Sequence, residues 1–227
     1  NIQDVTGKKF PISVSTSGTP RDGYVVGEMT TNPKEVTLRG SETLIDSIEK
    51  VVAKIDISGM SDSGVVDAEL ICYDSNGNVV DQTKLSNNLG DKGISVNVQM
   101  LNTKNVGLNF AVSGEPKAGY IYTGMTVEPE SVQICGTEDV LAEIDSINIP
   151  ADQIDITNEH GKKEYTIDIT PFLPKEVSLV DETANNVVVT ILIEQEGTKT
   201  IELPVESIQV KNLSDEFKVS FEAEKDL

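Results

Sequence analysis

A mainly β chain built of tandem small modules, each a β-sandwich or partial barrel carrying one short α-helix, is the fold this sequence predicts. Three observations predict it. Apolar and polar residues alternate in runs such as FPISVS and GISVNVQM, and a period of two marks a half-buried strand. Val and Ile dominate the apolar residues, with 4% aromatics and no Trp, which suits several compact cores better than one large one. A long stretch of the chain also occurs twice.

The duplication is the strongest of the three. From Gly18 the chain reads GTPRDGYVVGEMTTNPKEVTLRGSETLIDSI, and from Gly114 it reads GEPKAGYIYTGMTVEPESVQICGTEDVLAEI. At an offset of 96 residues, 11 of 31 positions are identical, where average residue usage gives about two by chance. Self-similarity of this kind marks a repeated structural unit.

Taken in order, Gly18, Pro20, Gly23 and Tyr24, with Gly114, Pro116, Gly119 and Tyr120, are turn chemistry. Proline fixes φ and glycine allows positive φ. Each turn delivers a strand whose Tyr and following Val or Ile are placed to enter the core. Pro33 and Pro129 interrupt pairing, which predicts an edge or a strand start. Short strands follow at Val36-Thr37-Leu38 and at Val132-Gln133-Ile134, ended by Gly40 and Gly136.

Beyond each glycine the period changes to about 3.6. Ser41 and Thr137 are N-cap residues by type, with Glu42 and with Glu138 and Asp139 in the first turn, where acids suit the helix dipole. Leu44, Ile45 and Ile48, like Val140, Leu141 and Ile144, form an apolar stripe, predicting a helix of about two turns. Strands resume at VVAKIDI and INIP. In the first unit VVDAELICY and NVV flank Asn76-Gly77, a hairpin signal, and GISVNVQM closes it. In the second, EYTIDI, EVSLV and NVVVTILIEQ take these parts.

A further echo begins at Thr198-Lys199-Thr200, which matches Thr103-Lys104-Asn105 at an offset of 95. The expected organisation is a first module over 1–101 and a second over 102–196. Residues 197–227 are either the truncated start of a third, the reading we favour, or strands closing the second.

The ordered pattern G-x-P-x-x-G-Y, then P-x-x-V-x-[IL]-x-G, then a capped apolar helix, resembles the YbbR-like domain family. It covers both units and fits the opening of the third. The resemblance implies an N-terminal transmembrane helix, absent from this chain, followed by several such domains on the outer face of a bacterial membrane, chiefly in Gram-positive organisms. It also implies a regulatory partner, a membrane-bound diadenylate cyclase that makes cyclic di-AMP from ATP. The family supplies no catalytic residues to carry over. The expected function is therefore that of a non-catalytic, extracytoplasmic region of a membrane-anchored regulator acting through protein–protein contacts. The alternative is a cell-wall-spanning structural or adhesion spacer.

Composition narrows the partners. With 18 basic and 38 acidic residues the formal net charge is −20, which repels nucleic acid phosphates and an anionic bilayer alike. No nucleic acid partner is expected, and contact with a membrane only through the missing helix. The start Asn1-Ile2-Gln3-Asp4 reads as a cut end. Cys72 and Cys135 are too few for a disulfide framework and their spacing fits no metal site; buried free thiols are expected, a single bridge being the other option.

Signatures for enzyme chemistry are missing: no G-x-S-x-G, no Walker motif, no H-E-x-x-H. The lone His160 stands in a polar run, TNEHGKKE, that the first unit lacks. Asp74-Ser75-Asn76-Gly77-Asn78 resembles the start of a calcium loop, but Lys84, Leu85 and Ser86 stand where the bidentate glutamate would fall. Ser47-Ile48-Glu49-Lys50 fits S-x-x-K without its companion motifs. The pairs Asp152/Asp155 and Glu194/Glu196 read as solvated acids, and the sequon Asn212-Leu213-Ser214 reads as chance. No cofactor or metal is expected.

Overall fold

The structure, a computed structural model, describes residues 4–197. Among them the order is β1 (Val5–Ser17), β2 (Tyr24–Asn32), β3 (Glu35–Ser41), α1 (Glu42–Ser47), β4 (Ile48–Asp56), β5 (Gly64–Asp74), β6 (Ser86–Asn87) and β7 (Ile94–Phe110). There follow β8 (Tyr120–Glu128), β9 (Ser131–Gly136), α2 (Glu138–Ala142), β10 (Ser146–Ile149), β11 (Lys163–Asp168), β12 (Ser178–Leu179) and β13 (Asn186–Gln195). The fold is mainly β with two short helices. The sequence echo at 198–203, the third-module reading and the sequon at Asn212 lie outside the described residues.

β1 serves two partners in succession. Residues 5–11 pair antiparallel with β3 and residues 12–17 pair parallel with β4. β4 pairs with residues 69–74 of β5, whose first residues cross to β7, and β2 also pairs with β7. The sheet thus curls from β6 through β3, β1, β4, β5 and β7 to β2, a partial barrel. Val36, Leu38, Ile45, Val51, Ala53 and Val96 fill it, all but closed to solvent. β-Branched residues suit these places because their stiff side chains pack well on a pleated surface.

The same pairing recurs in the second half with the second part of β7 in the role of β1. Thr6 opposite Gly40 becomes Asn102 opposite Gly136, and Ile12 opposite Val51 becomes Leu108 opposite Ile147, each 96 residues on. β13, lying between β11 and β8, takes the role of the first part of β7. A separate core forms around Ile134, Ile147, Ile154, Ile169, Val189 and Ile191.

The two halves differ at one strand. β5 has 11 residues and bridges β4 and β7, whereas β11 has six and pairs with β13 alone. Past Asp168 the chain reads Ile-Thr-Pro-Phe-Leu-Pro, and Pro171 and Pro174 cannot donate to a ladder. The second half therefore stays a sandwich of two sheets, β12-β9-β7-β10 over β11-β13-β8.

β7 is the joint. Its 17 residues run without a break from the first core into the second, so the expected boundary between 101 and 102 falls inside a strand. Met100 is the last of its residues in the first core and Val106 the first in the second. Between them Lys104 donates from Nζ to the carbonyls of Leu141 at 3.0 Å and Ile144 at 2.6 Å. Leu141 stands in the last turn of α2, which has no basic residue of its own there, and Ile144 just past it, so the lysine supplies the missing C-terminal partner.

The helices are shorter than their stripes suggest, six and five residues. Ile48 already belongs to β4 and Ile144 lies past α2, yet both are buried; a stripe at helical spacing is completed from the next element. Ser41 and Thr137 do stand at the N-cap positions but make no side-chain cap bond. Pro33 and Pro129 follow cis peptide bonds in the two-residue links between β2 and β3 and between β8 and β9. Gly40 does not end its strand, which continues to Ser41, while Gly136 closes β9.

Opposite faces of β13 give a test of the core. Ile191 is 0% exposed and Val188 39%. Ile191→Ala is expected to lower unfolding free energy by about 2–5 kcal/mol, and Val188→Ala by no more than about 0.5 kcal/mol, as read from urea unfolding midpoints.

Candidate functional site

The first residues of each repeat signature, Gly18, Pro20, Gly23 and Tyr24 with Gly114, Pro116, Gly119 and Tyr120, gather at one end of each module, where two loops are clasped together. Val36 and Gly40, like Val132 and Gly136, stand along the leading strand instead. Residues 18–23 lie against residues 57–60. The amide of Ile57 donates to Ser17 O at 2.9 Å, that of Gly59 to Thr19 O at 2.9 Å, and that of Arg21 to Met60 O at 3.0 Å. In the second module Ile156 donates to Ser113 O at 2.9 Å, Asn158 to Glu115 O at 2.9 Å, and Lys117 to Glu159 O at 3.0 Å. The same three bonds are made twice.

Gly18 and Gly114 are required by this closeness. Both have positive φ, +78° and +84°, and a Cβ on Gly18 would collide with Ser58 Oγ and come within 2.7 Å of Asp56 Oδ1. A Cβ on Gly114 would meet Thr157 Oγ1 and Asp155 Oδ1 in the same way. Gly23 and Gly119, at +88° and +85°, have open space around them, so they serve backbone conformation alone. Tyr24 and Tyr120 then pack against their respective cores. Strand alternation sends the following residue outward, and Ile121 is 45% exposed; in the first module Val26, two residues past the tyrosine, packs inward instead. Val36 and Val132 are buried.

A paired carboxylate motif, unforeseen in the signature, completes the clasp. Asp56 Oδ1 accepts from the Ser58 hydroxyl at 2.6 Å and its amide at 2.9 Å. Asp155 Oδ1 accepts from the Thr157 hydroxyl at 2.6 Å and its amide at 2.9 Å. These bonds hold both carboxyls below the ordinary aspartate value, the hydroxyl contributing most, because they stabilise the charged form. The same D-x-[ST] turn recurs at Asp81-Gln82-Thr83 and Asp181-Glu182-Thr183. Asp-Ile-Ser-Gly at 56–59 and Asp-Ile-Thr-Asn at 155–158 are 99 residues apart. Three extra residues before the second copy hide them from an ungapped comparison.

Other singled-out residues also have structural employment. Ser47 donates its hydroxyl to Leu44 O at 2.7 Å. Asp74 accepts from the amides of Asn76 and Asn78, both at 2.9 Å, and so holds the turn at Gly77. Cys72 and Cys135 are free and buried, and burial pushes both thiols up, the condition of an inert thiol. His160 is exposed and lies 5.8 Å from the Tyr120 ring, centroid to centroid. Asp155 belongs to the clasp, and its neighbour Asp152 is exposed. Glu194 stands on the outer face of β13 and Glu196 follows that strand. Among the described residues no group of three or more His, Cys, Asp or Glu side chains is placed to hold a metal ion, and no helix is long and apolar enough to cross a membrane.

Of several surface clefts among the described residues, one is lined mainly by apolar side chains. In the second module a cleft of about 340 Å³ lies between the end of β7 and β8, lined by Phe110, Val112, Pro116, Tyr122 and Met125 among others. Positions 96 residues earlier hold Val14, Thr16, Pro20, Val26 and Met29, so both aromatic residues belong to the second copy alone. Such a surface offers contact area rather than groups for proton transfer.

The fold and the clasped signature loops define a tandem-repeat β protein whose pairing recurs at an offset of 96 residues. The YbbR-like protein model matches residues 10–98 and again 106–191, and the chain belongs to that family. It is 25% identical over 150 residues to the CdaA regulatory protein CdaR of Bacillus subtilis (strain 168), a match covering 65% of this chain and 30% of that protein. The chain thus spans about a third of the length of that relative. A solution structure of SuR18C from Streptococcus thermophilus is similar at 17% identity and a TM-score of 0.34, covering 45% of this chain and 93% of that one. A crystal structure of a YbbR-like protein from Streptococcus pneumoniae TIGR4 is similar at 14% identity and a TM-score of 0.32, covering 85% and 96%.

Two outcomes are expected of the clasp. Gly18→Ala combines positive φ with collision and should destabilise by about 1–3 kcal/mol, more than Gly23→Ala, in thermal or urea unfolding. Because folding depresses the Asp56 and Asp155 carboxyls, their contribution is complete above the unfolded value of about 3.9 and is lost as pH falls through the lower folded values. Wild type and Asp155→Asn should therefore differ in melting temperature at pH 6 and converge as pH falls through the lowered folded value.

Proposed function

We propose that this chain is the extracytoplasmic, non-catalytic part of a membrane-anchored regulator that modulates a diadenylate cyclase through protein–protein contacts. The observation that carries the reading is the double family match together with the similarity to a CdaA regulatory protein. The site supports it from another side. Serine, aspartate and cysteine groups of the kinds that serve chemistry are instead bonded into turns or buried, and the glycine turns of the signature build the clasp. The domain reading, two modules followed by the opening of a third, belongs to the same proposal. At the close of the second module the amide of Glu196 donates to Gly119 O at 2.8 Å, as the amide of Thr103 donates to Gly23 O at 2.9 Å where the first module hands over to the second.

A second reading, a structural spacer in the cell wall, is favoured by the unbroken strand joining the modules. Co-expression separates the two. The anchored full-length protein and the cyclase are produced together, and cellular cyclic di-AMP is measured against cyclase alone and against the anchor without its modules. A change in cyclic di-AMP that requires the modules is expected. Equal levels in all three strains would remove the regulatory reading and leave the spacer.

A further inference from the structure

We propose that the array is a load-bearing tether in which tension along the chain is carried in shear by the first and last strands of each module. This rests on chain topology alone and is independent of any cyclase.

The registers place the two ends of each module. Val5 opposite Ser41 sets the start of β1 beside the start of α1. Tyr24 opposite Asn102 sets the loop that follows β1 beside the point where β7 leaves the first core. β4 runs parallel to β1 and its closing loop, 57–60, is clasped at that same far end. The chain therefore arrives at one pole, runs along β1 to the other, and finally leaves there along β7. In the second module Asn102 opposite Gly136 and Tyr120 opposite Gln195 set the same poles. Leading and trailing strands both point along the pull.

That direction decides how the ladders fail. Bonds between strands lie across the strand axis, so drawing β1 backwards along β4 loads the whole seam at once, and drawing β7 forwards loads its seams with β2 and β5 together. A pull across the strands would open the bonds one after another. The leading seam differs between modules: β1 pairs with β4 over 12–17, while β7 pairs with β10 over 107–110, extended by a bridge from Ser113 to Asp155. β10 pairs with β7 only, whereas β4 is also held by β5. The trailing strand β13 is held on both sides, by β8 and β11. The second module is therefore the one that yields first.

Single-molecule stretching of the full 227-residue chain tests this. Handles are attached at the two termini, or at the N-terminus and a thiol introduced as Asn76→Cys. Asn76 lies in the turn after β5, whose Asp74 pairs with Ile48 at the pole where β1 starts, so the second geometry peels instead of shearing. Cys72 and Cys135 are buried and leave the new thiol as the site of attachment. Asn76→Cys sits on an exposed turn, and its melting temperature confirms that the fold is intact. The expected result is a first rupture force at least about twofold higher between the termini than in the peeling geometry, since forced unfolding follows the unfolding barrier. Ile191→Ala, which weakens the core of the second module alone, should lower that first rupture force, and Val96→Ala in the first core should not. Equal or lower force between the termini would overturn the proposal, and a first rupture lowered by Val96→Ala but not by Ile191→Ala would overturn the ranking of the seams.

Discussion

In each module the return from the first strand to the second is tied by three backbone hydrogen bonds to the loop that follows the parallel strand, β4 or β10. The rest of the arrangement hangs from this clasp. It fixes where Tyr24 and Tyr120 begin their strands, and therefore where β2 meets β7 and β8 meets β13. It brings two chain crossings so close that one of them must lack a side chain, and it places an aspartate beside that gap to satisfy a hydroxyl and an amide. Glycine, aspartate and Ser or Thr act there as one assembly. The glycine makes room, and the carboxylate fills it with bonds to a neighbouring hydroxyl and amide.

The function proposed above fits a molecule whose reactive-looking groups are committed to such assemblies. An aspartate bonded to a neighbouring hydroxyl and amide is more acidic than usual, the opposite of what a general acid at neutral pH requires. A buried thiol raised by desolvation is a poor nucleophile. What the two copies present differently is surface: the second holds Phe110 and Tyr122 in its open seam where the first holds Val14 and Val26.

Much of this was legible in the sequence because the repeat keeps its spacing from Gly18 to Ile48. Strand alternation, the glycines of the turn and the short helices all follow from residue types acting locally. The sandwich and the partial barrel were both named, and the chain makes one of each, a choice settled by Pro171 and Pro174 cutting short the strand that would have joined the sheets. The helix lengths misled because Ile48 and Ile144 continue the apolar stripe from outside the helix, a tertiary completion that periodicity cannot distinguish. The clasp aspartates were missed because their spacing is 99 rather than 96. The contact of Lys104 with α2 was out of reach, since the two are 37 and 40 residues apart and joined only by folding.

The continuity of β7 has an evolutionary corollary. Met100 and Val106 face their separate cores from the same side of one strand, and successive residues on a strand face opposite ways. Adding or deleting a single residue between them would turn the whole downstream sequence out of phase, sending its core residues to solvent. Length changes at this joint keep phase in steps of two, and an odd residue needs a bulge to absorb it, as β2 has opposite β7. Loops carry no such restriction, whereas the joint between modules is held to parity.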